Sequence, residues 1–119
     1  MIVELPWPPR ELSPNAREGH WSVRRRASNA YRESAYWITK SKSVDSVDNE
    51  HPVDDSQVLL QIQFFPPDKR KRDLDNMLAS IKAGLDGIAD ALQINDQRFA
   101  LNISRGSPVK GGKVMVKLV

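Results

Sequence analysis

The chain has 119 residues, with 18 Lys and Arg against 15 Asp and Glu, for a net charge of +3 at pH 7. That length suits one domain with one ordinary core, and the absence of cysteine excludes disulfide frameworks, thiolate-bound zinc, thiol nucleophiles and iron–sulfur clusters. No apolar run approaches the ~18 residues of a membrane span, and MIVELPWPPR lacks the pattern of a signal peptide, so a cytoplasmic location and no membrane partner are expected.

The chain opens on a short strand over Met1–Leu5, stopped by Pro6-Trp7-Pro8-Pro9, a run poor in amide donors and barred from helix. Glu11–Ser22 reads as a polar loop. From about Val23 to Lys42, Ala27, Tyr31, Ala35 and Ile38 recur at spacings of 4, 4 and 3, which predicts a helix whose first half carries Arg24, Arg25, Arg26 and Arg32. Residues 43–56 hold Asp45, Asp48, Glu50, Asp54 and Asp55 without a Lys or Arg, and read as a mobile acidic connection. Outside it, 18 bases face 10 acids, a net +8 that raises nucleic acid as a partner.

Gln57–Phe65 alternates through Val58, Leu60, Ile62 and Phe64 and predicts a strand, ended by Pro66-Pro67. A second helix is expected over about Asp75–Leu92, on an apolar stripe of Met77/Leu78, Ile81, Leu85, Ile88/Ala89 and Leu92. Gly84 and Gly87 inside it imply close approach of another backbone, by tight packing within the chain or at a subunit interface. Arg98–Ser104 alternates again, Lys110-Gly111-Gly112-Lys113 carries a two-residue hairpin signal, and Lys113–Val119 closes with a strand. The order β-α-β-α-β-β defines an α/β (α+β-like) class: one domain over 1–119, with a mixed sheet of about four strands and two helices.

Chemistry concentrates in Lys69-Arg70-Lys71-Arg72-Asp73-Leu74-Asp75-Asn76. If Asp73-Leu74-Asp75 is extended, alternation sends both carboxylates to one side, where they suit a hard divalent cation such as Mg²⁺. Helix capping would explain one such Asp; two acids and Asn76 behind four cations exceed what a cap requires. Asp96, in the loop after the helix, is the candidate third ligand, against the reading of an ordinary turn residue. Lys82, seven residues after Asp75, shares its face and is a candidate to neutralise phosphate charge, or else a surface lysine. Asp86 and Asp90 are expected to face solvent. His20 and His51 are too few and too dispersed for a zinc site, and Trp7 is expected to pack over the prolines.

Three stretches in order, Leu5-Pro6-Trp7-Pro8-Pro9, Pro67-Asp68 through Arg70–Arg72 into Asp73-Leu74-Asp75-Asn76, and Asn95-Asp96 followed by Lys110-Gly111-Gly112, resemble the RusA family of Holliday junction resolvases. The resemblance covers nearly the whole chain, and the basic run joined to DLDN is its most specific part. It implies a homodimeric, Mg²⁺-dependent crossover junction endodeoxyribonuclease, often prophage-encoded, that resolves four-way DNA junctions by paired symmetric nicks in recombination and repair. The family's metal-binding acids correspond to Asp73, Asp75 and Asp96, holding one or two ions per subunit. The family's lysine position, four residues after the second Asp, is Ala79 here, which leaves Lys82 as the nearest lysine. Lys69, Arg70, Lys71, Arg72 and Asn76, with Arg24, Arg25 and Arg26, are the expected DNA contacts. The alternatives are a less selective flap or fork nuclease and a non-catalytic nucleic-acid-binding module.

Overall fold

Alternating strands supply one face of the core. The computed structural model describes residues 1–16, 21–43 and 57–119. Four strands, β1 (Ile2–Pro6), β2 (Val58–Phe65), β3 (Phe99–Arg105) and β4 (Lys113–Leu118), form one sheet in the order β1-β4-β2-β3. β4 runs antiparallel to both β1 and β2, and β3 is parallel to β2, so the sheet is mixed as expected. Register places Val3 opposite Val116, Leu5 opposite Val114, Ile62 opposite Val116 and Phe64 opposite Val114. All of these are buried, because residues two apart share a face.

That face is covered by α1 (Trp21–Ser43) and α3 (Lys82–Leu92). Tyr31 and Ala35 of α1 meet Ile81, Leu85, Ile88 and Leu92 around the strand residues in a single core cluster. The two glycines explain how closely the helices approach. A Cβ on Gly87 would lie 2.2 Å from the Arg32 carbonyl oxygen, and one on Gly84 would lie 2.7 Å from the Tyr31 ring. The glycines therefore serve packing of α3 on α1 within the chain. Tyr31 also ties the helix layer to the sheet, its hydroxyl donating to the Pro6 carbonyl at 2.7 Å. Burial pushes that phenol well above its ordinary range. The opposite sheet face carries exposed Glu4, Gln61, Gln63 and Lys117, and no layer covers it among the described residues.

Three features depart from the sequence reading. The second helix is two helices, α2 (Leu74–Ser80) and α3, broken at Ile81 with φ −104° and ψ 6°. The Ser80 hydroxyl donates to the Asn76 carbonyl at 2.8 Å, and the Ile81 N–H turns to Leu78 at 3.2 Å, a three-residue step. Serine back-bonding of this kind competes for helix acceptors and bends the axis. Second, Gly111 and Gly112 do not close a hairpin between neighbours, since β3 and β4 flank β2 on opposite sides. They form a turn in which the Gly112 N–H meets the Val109 carbonyl at 2.9 Å, with Gly111 at φ 81°, the left-handed third position that glycine fills without strain. Third, a 3-10 turn over Arg10–Leu12 takes in the first two residues of the expected Glu11–Ser22 loop, and α1 starts at Trp21, within its last two. Residues 44–56 of the acidic connection, His51 among them, and His20 lie outside the described residues.

Candidate functional site

The first turn of α2 decides where the acids go. Asp73 is the last extended residue, at φ −78° and ψ 138°, and helix begins at Leu74. Successive helical residues rotate by about 100° rather than 180°, so the side-by-side placement expected of an extended Asp73-Leu74-Asp75 does not arise. Leu74 packs on the core. Asp73 lines a groove on one side of α2, and Asp75 lines a pocket on the other. Asp73 sits at the cap position but makes no side-chain cap hydrogen bond, so capping does not account for it.

The pocket, of about 340 Å³, gathers Asp75, Lys82, Asp86 and Asp96 above an apolar lining that includes Leu78, Leu85 and Phe99. Ala79 also lines it, so Ala79 and Lys82 open on the same space. Three carboxylates thus face one ammonium group. Asp96 reaches this place through two local devices. α3 ends in a Schellman motif: Ile94 N–H bonds the Ala89 carbonyl at 3.0 Å and Gln93 N–H the Asp90 carbonyl at 3.3 Å, with Gln93 in the left-handed region at φ 55°. Asn95 then accepts from the Gln97 N–H at 3.0 Å, starting the short 3-10 turn that carries Asp96.

Asp86 is the member the sequence reading assigned to solvent. Burial pushes its carboxyl above the ordinary range, and the adjacent Asp96 carboxylate adds to the rise against the opposing pull of Arg32 and Lys82. Its signal was in the spacing: Asp75, Ala79, Lys82 and Asp86 step by 4, 3 and 4, one helical stripe. Behind this pair, Arg32 of α1 clamps Asp90 through Nε–Oδ2 at 2.7 Å and Nη2–Oδ1 at 3.0 Å, holding α1 to α3 beside the acids.

Every candidate ligand in the pocket is a carboxylate, a donor set that fits a hard cation such as Mg²⁺. As they stand, no three or more His, Cys, Asp or Glu side chains among the described residues are gathered closely enough to hold a metal ion. Like charges keep carboxylates apart when no counter-cation lies between them.

The groove, of about 570 Å³, runs between the segment after β1 and the segment before α2. Trp7, Arg10 and Asn15 stand on one side, and Arg70, Lys71, Arg72, Asp73 and Asn76 on the other. Arg10 and Asn15 were missed in the sequence because they belong to a loop distant in the chain from the basic run. The cations of that run differ in freedom. Arg70 is 84% exposed and only 3.8 Å from Asp68, whereas Arg72 is 22% exposed and pairs with Asp68 at 2.8 Å. The Asp68 carboxyl is held below its ordinary range by hydrogen bonds from Arg72 and the Arg70 N–H. Lys69 is exposed beside the groove, and Arg24, Arg25 and Arg26 are exposed on α1 but line neither cavity.

Fold and site together define a two-layer α/β domain with a mixed four-stranded sheet, an acid-lined pocket and a basic groove meeting at the start of α2. No family model matches the chain. It is 43% identical over 97 residues to an uncharacterized protein of Xylella fastidiosa (strain Temecula1 / ATCC 700964). The alignment takes in 82% of this chain and 61% of that protein, so the chain spans less than two thirds of the relative's length. Among the described residues, no helix is long and apolar enough to cross a membrane.

Proposed function

We propose that the protein is a metal-dependent endodeoxyribonuclease of the RusA type, acting as a homodimer on four-way DNA junctions. The observation that carries this reading is the convergence of Asp75, Asp96 and Lys82, from three separate elements, on one pocket beside a basic groove. A protein that bound nucleic acid without cutting it would have no use for three carboxylates near the phosphates it must attract. The capping explanation for Asp73 also lacks its hydrogen bond.

In this reading Asp75 and Asp96 would hold Mg²⁺, with Asp86 beside them and Asp73, on the groove side of the same turn, as the third acid of the resemblance. A divalent ion bound there supplies an activated water and neutralises charge on the phosphate. The chain's own residues do the rest. Lys82 places an ammonium group over the same space, suited to charge developing on a phosphate oxygen. Arg70 and Lys71 draw in the DNA backbone without specifying sequence. Leu78, Leu85 and Phe99 form an apolar lining beneath the carboxylates. A two-fold homodimer suits a pseudo-symmetric junction, because two equivalent sites then meet two equivalent strands.

Incubating the protein with a labelled four-way junction, a fork and a plain duplex, each in Mg²⁺ and in EDTA, tests the reading. Paired nicks in the junction, dependent on Mg²⁺ and much faster than cutting of duplex, are expected. Equal cutting of fork and junction would move the assignment to a flap or fork nuclease. Binding of the junction without any nicking would move it to a non-catalytic module.

A further inference from the structure

The groove has two basic walls, and only one of them comes from the basic run. We propose that this groove holds one sugar-phosphate strand of the DNA, with Arg10 and Asn15 contacting it from one wall and Arg70 and Lys71 from the other. Arg72 is a post of the wall instead of a DNA contact. The inference rests on the nucleic-acid reading above and assigns the strand's path across the domain.

The first wall is rigid. Pro8 and Pro9 fix their own φ angles and offer no N–H. Trp7 stands edge-on to Phe64 at 6.5 Å between centroids, and a Cβ on Gly112 would come within 3.0 Å of both Trp7 and Pro67. Arg10 follows at once, exposed, at the start of the 3-10 turn, with no ion pair to a carboxylate among the described residues. A guanidinium held on a stiff loop loses little freedom on binding, and its fork suits phosphate oxygens. Asn15 opens on the same groove with an amide that can donate to phosphate.

The second wall separates two kinds of arginine. The Arg72 guanidinium pairs with Asp68 at 2.8 Å, donates at 3.3 Å to the carbonyls of Asp68 and Arg70, and lies 5.6 Å from the centre of the Trp7 ring. Its Nη1 is committed to its own wall and its face to Trp7, so the more exposed cations of the run toward the groove are Arg70 and Lys71. Cations opposed across a channel fit a polyanionic strand, and Asp73 is the acid among the lining residues.

The test measures binding in EDTA, so that cleavage does not intervene, by fluorescence anisotropy of a labelled four-way junction across a salt series. Arg10→Ala should weaken binding about 3- to 10-fold and lower the slope of log affinity against log salt by about one, equally for junctions of different sequence. Lys117→Ala, on the open sheet face, removes the same charge and should change affinity less than about twofold. Arg72→Ala removes the clamp on Asp68: it should lower the melting temperature while changing the salt slope far less than Arg10→Ala does. Arg10→Ala indistinguishable from Lys117→Ala would overturn the groove assignment and leave the nuclease reading standing. A wild-type protein with no salt-dependent affinity for the junction would remove both. An Arg72→Ala variant of unchanged stability with a salt slope lowered as far as that of Arg10→Ala would return Arg72 to the DNA contacts.

Discussion

The pocket and the groove lie on two sides of one helical turn and are built in opposite ways. The pocket sets three carboxylates against a single lysine and depends on tertiary packing, with residues drawn from α2, α3 and the turn before β3. The groove is predominantly basic and depends on stiff local segments, prolines on one side and the Asp68–Arg72 clamp on the other. A polyanion is attracted by the second and repelled by the first unless a cation neutralises it. Binding and chemistry should therefore respond to different substitutions.

Asp73 offers the largest effect. In the proposed function it would repel the strand as the acid lining the groove and would be needed for cutting as the third acid of the set. Asp73→Asn should reduce junction cleavage about a thousand-fold while tightening junction binding in EDTA, and parallel cleavage and anisotropy assays check both. Unchanged cleavage would confine Asp73 to the groove. Next comes Gly87→Ala, which forces a Cβ against the Arg32 carbonyl. About 2 kcal/mol of stability should be lost, read by urea denaturation, with the pocket suffering more than the groove because α3 gives it Lys82, Leu85 and Asp86.

Asp86→Asn should raise the melting temperature at pH 7. Because the folded-state pKa of Asp86 is raised, the charged form costs stability at neutral pH, and that cost disappears as pH falls toward the ordinary carboxylate range. The gain from the variant should accordingly shrink on acidification, and melting curves at pH 7 and about pH 4 decide it. The same variant should slow cleavage if Asp86 belongs with the ligands, so stability and activity move in opposite directions. The smallest effect is Gln93→Gly, which relieves the left-handed residue at the end of α3 and should stabilise by roughly 1 kcal/mol, leaving both binding and cleavage near wild type.

Strand and helix positions were legible because their signals are periodic: Val58, Leu60, Ile62 and Phe64 for β2, and Tyr31 with Ala35 for α1, occupy the predicted faces. The break at Ile81 was not, because the apolar stripe runs through it unbroken. The Gly111-Gly112 turn was legible as a turn, but which strands it joins depends on β2 inserting between β3 and β4. Asp75, Lys82 and Asp96 were found as types of residue in a telling order, and the pocket brings them together. Asp73 was found for the same reason but faces elsewhere, because helix begins at Leu74, two residues earlier than an extended DLD requires. Arg10 gave no signal, since nothing local to its loop links it to a basic run sixty residues on.

The most direct test of the division between pocket and groove is Asp75→Asn, assayed for junction cleavage in Mg²⁺ and for junction binding in EDTA. The account predicts cleavage lost by about a thousand-fold with affinity and salt slope unchanged. Cleavage at the wild-type rate by that variant would contradict it.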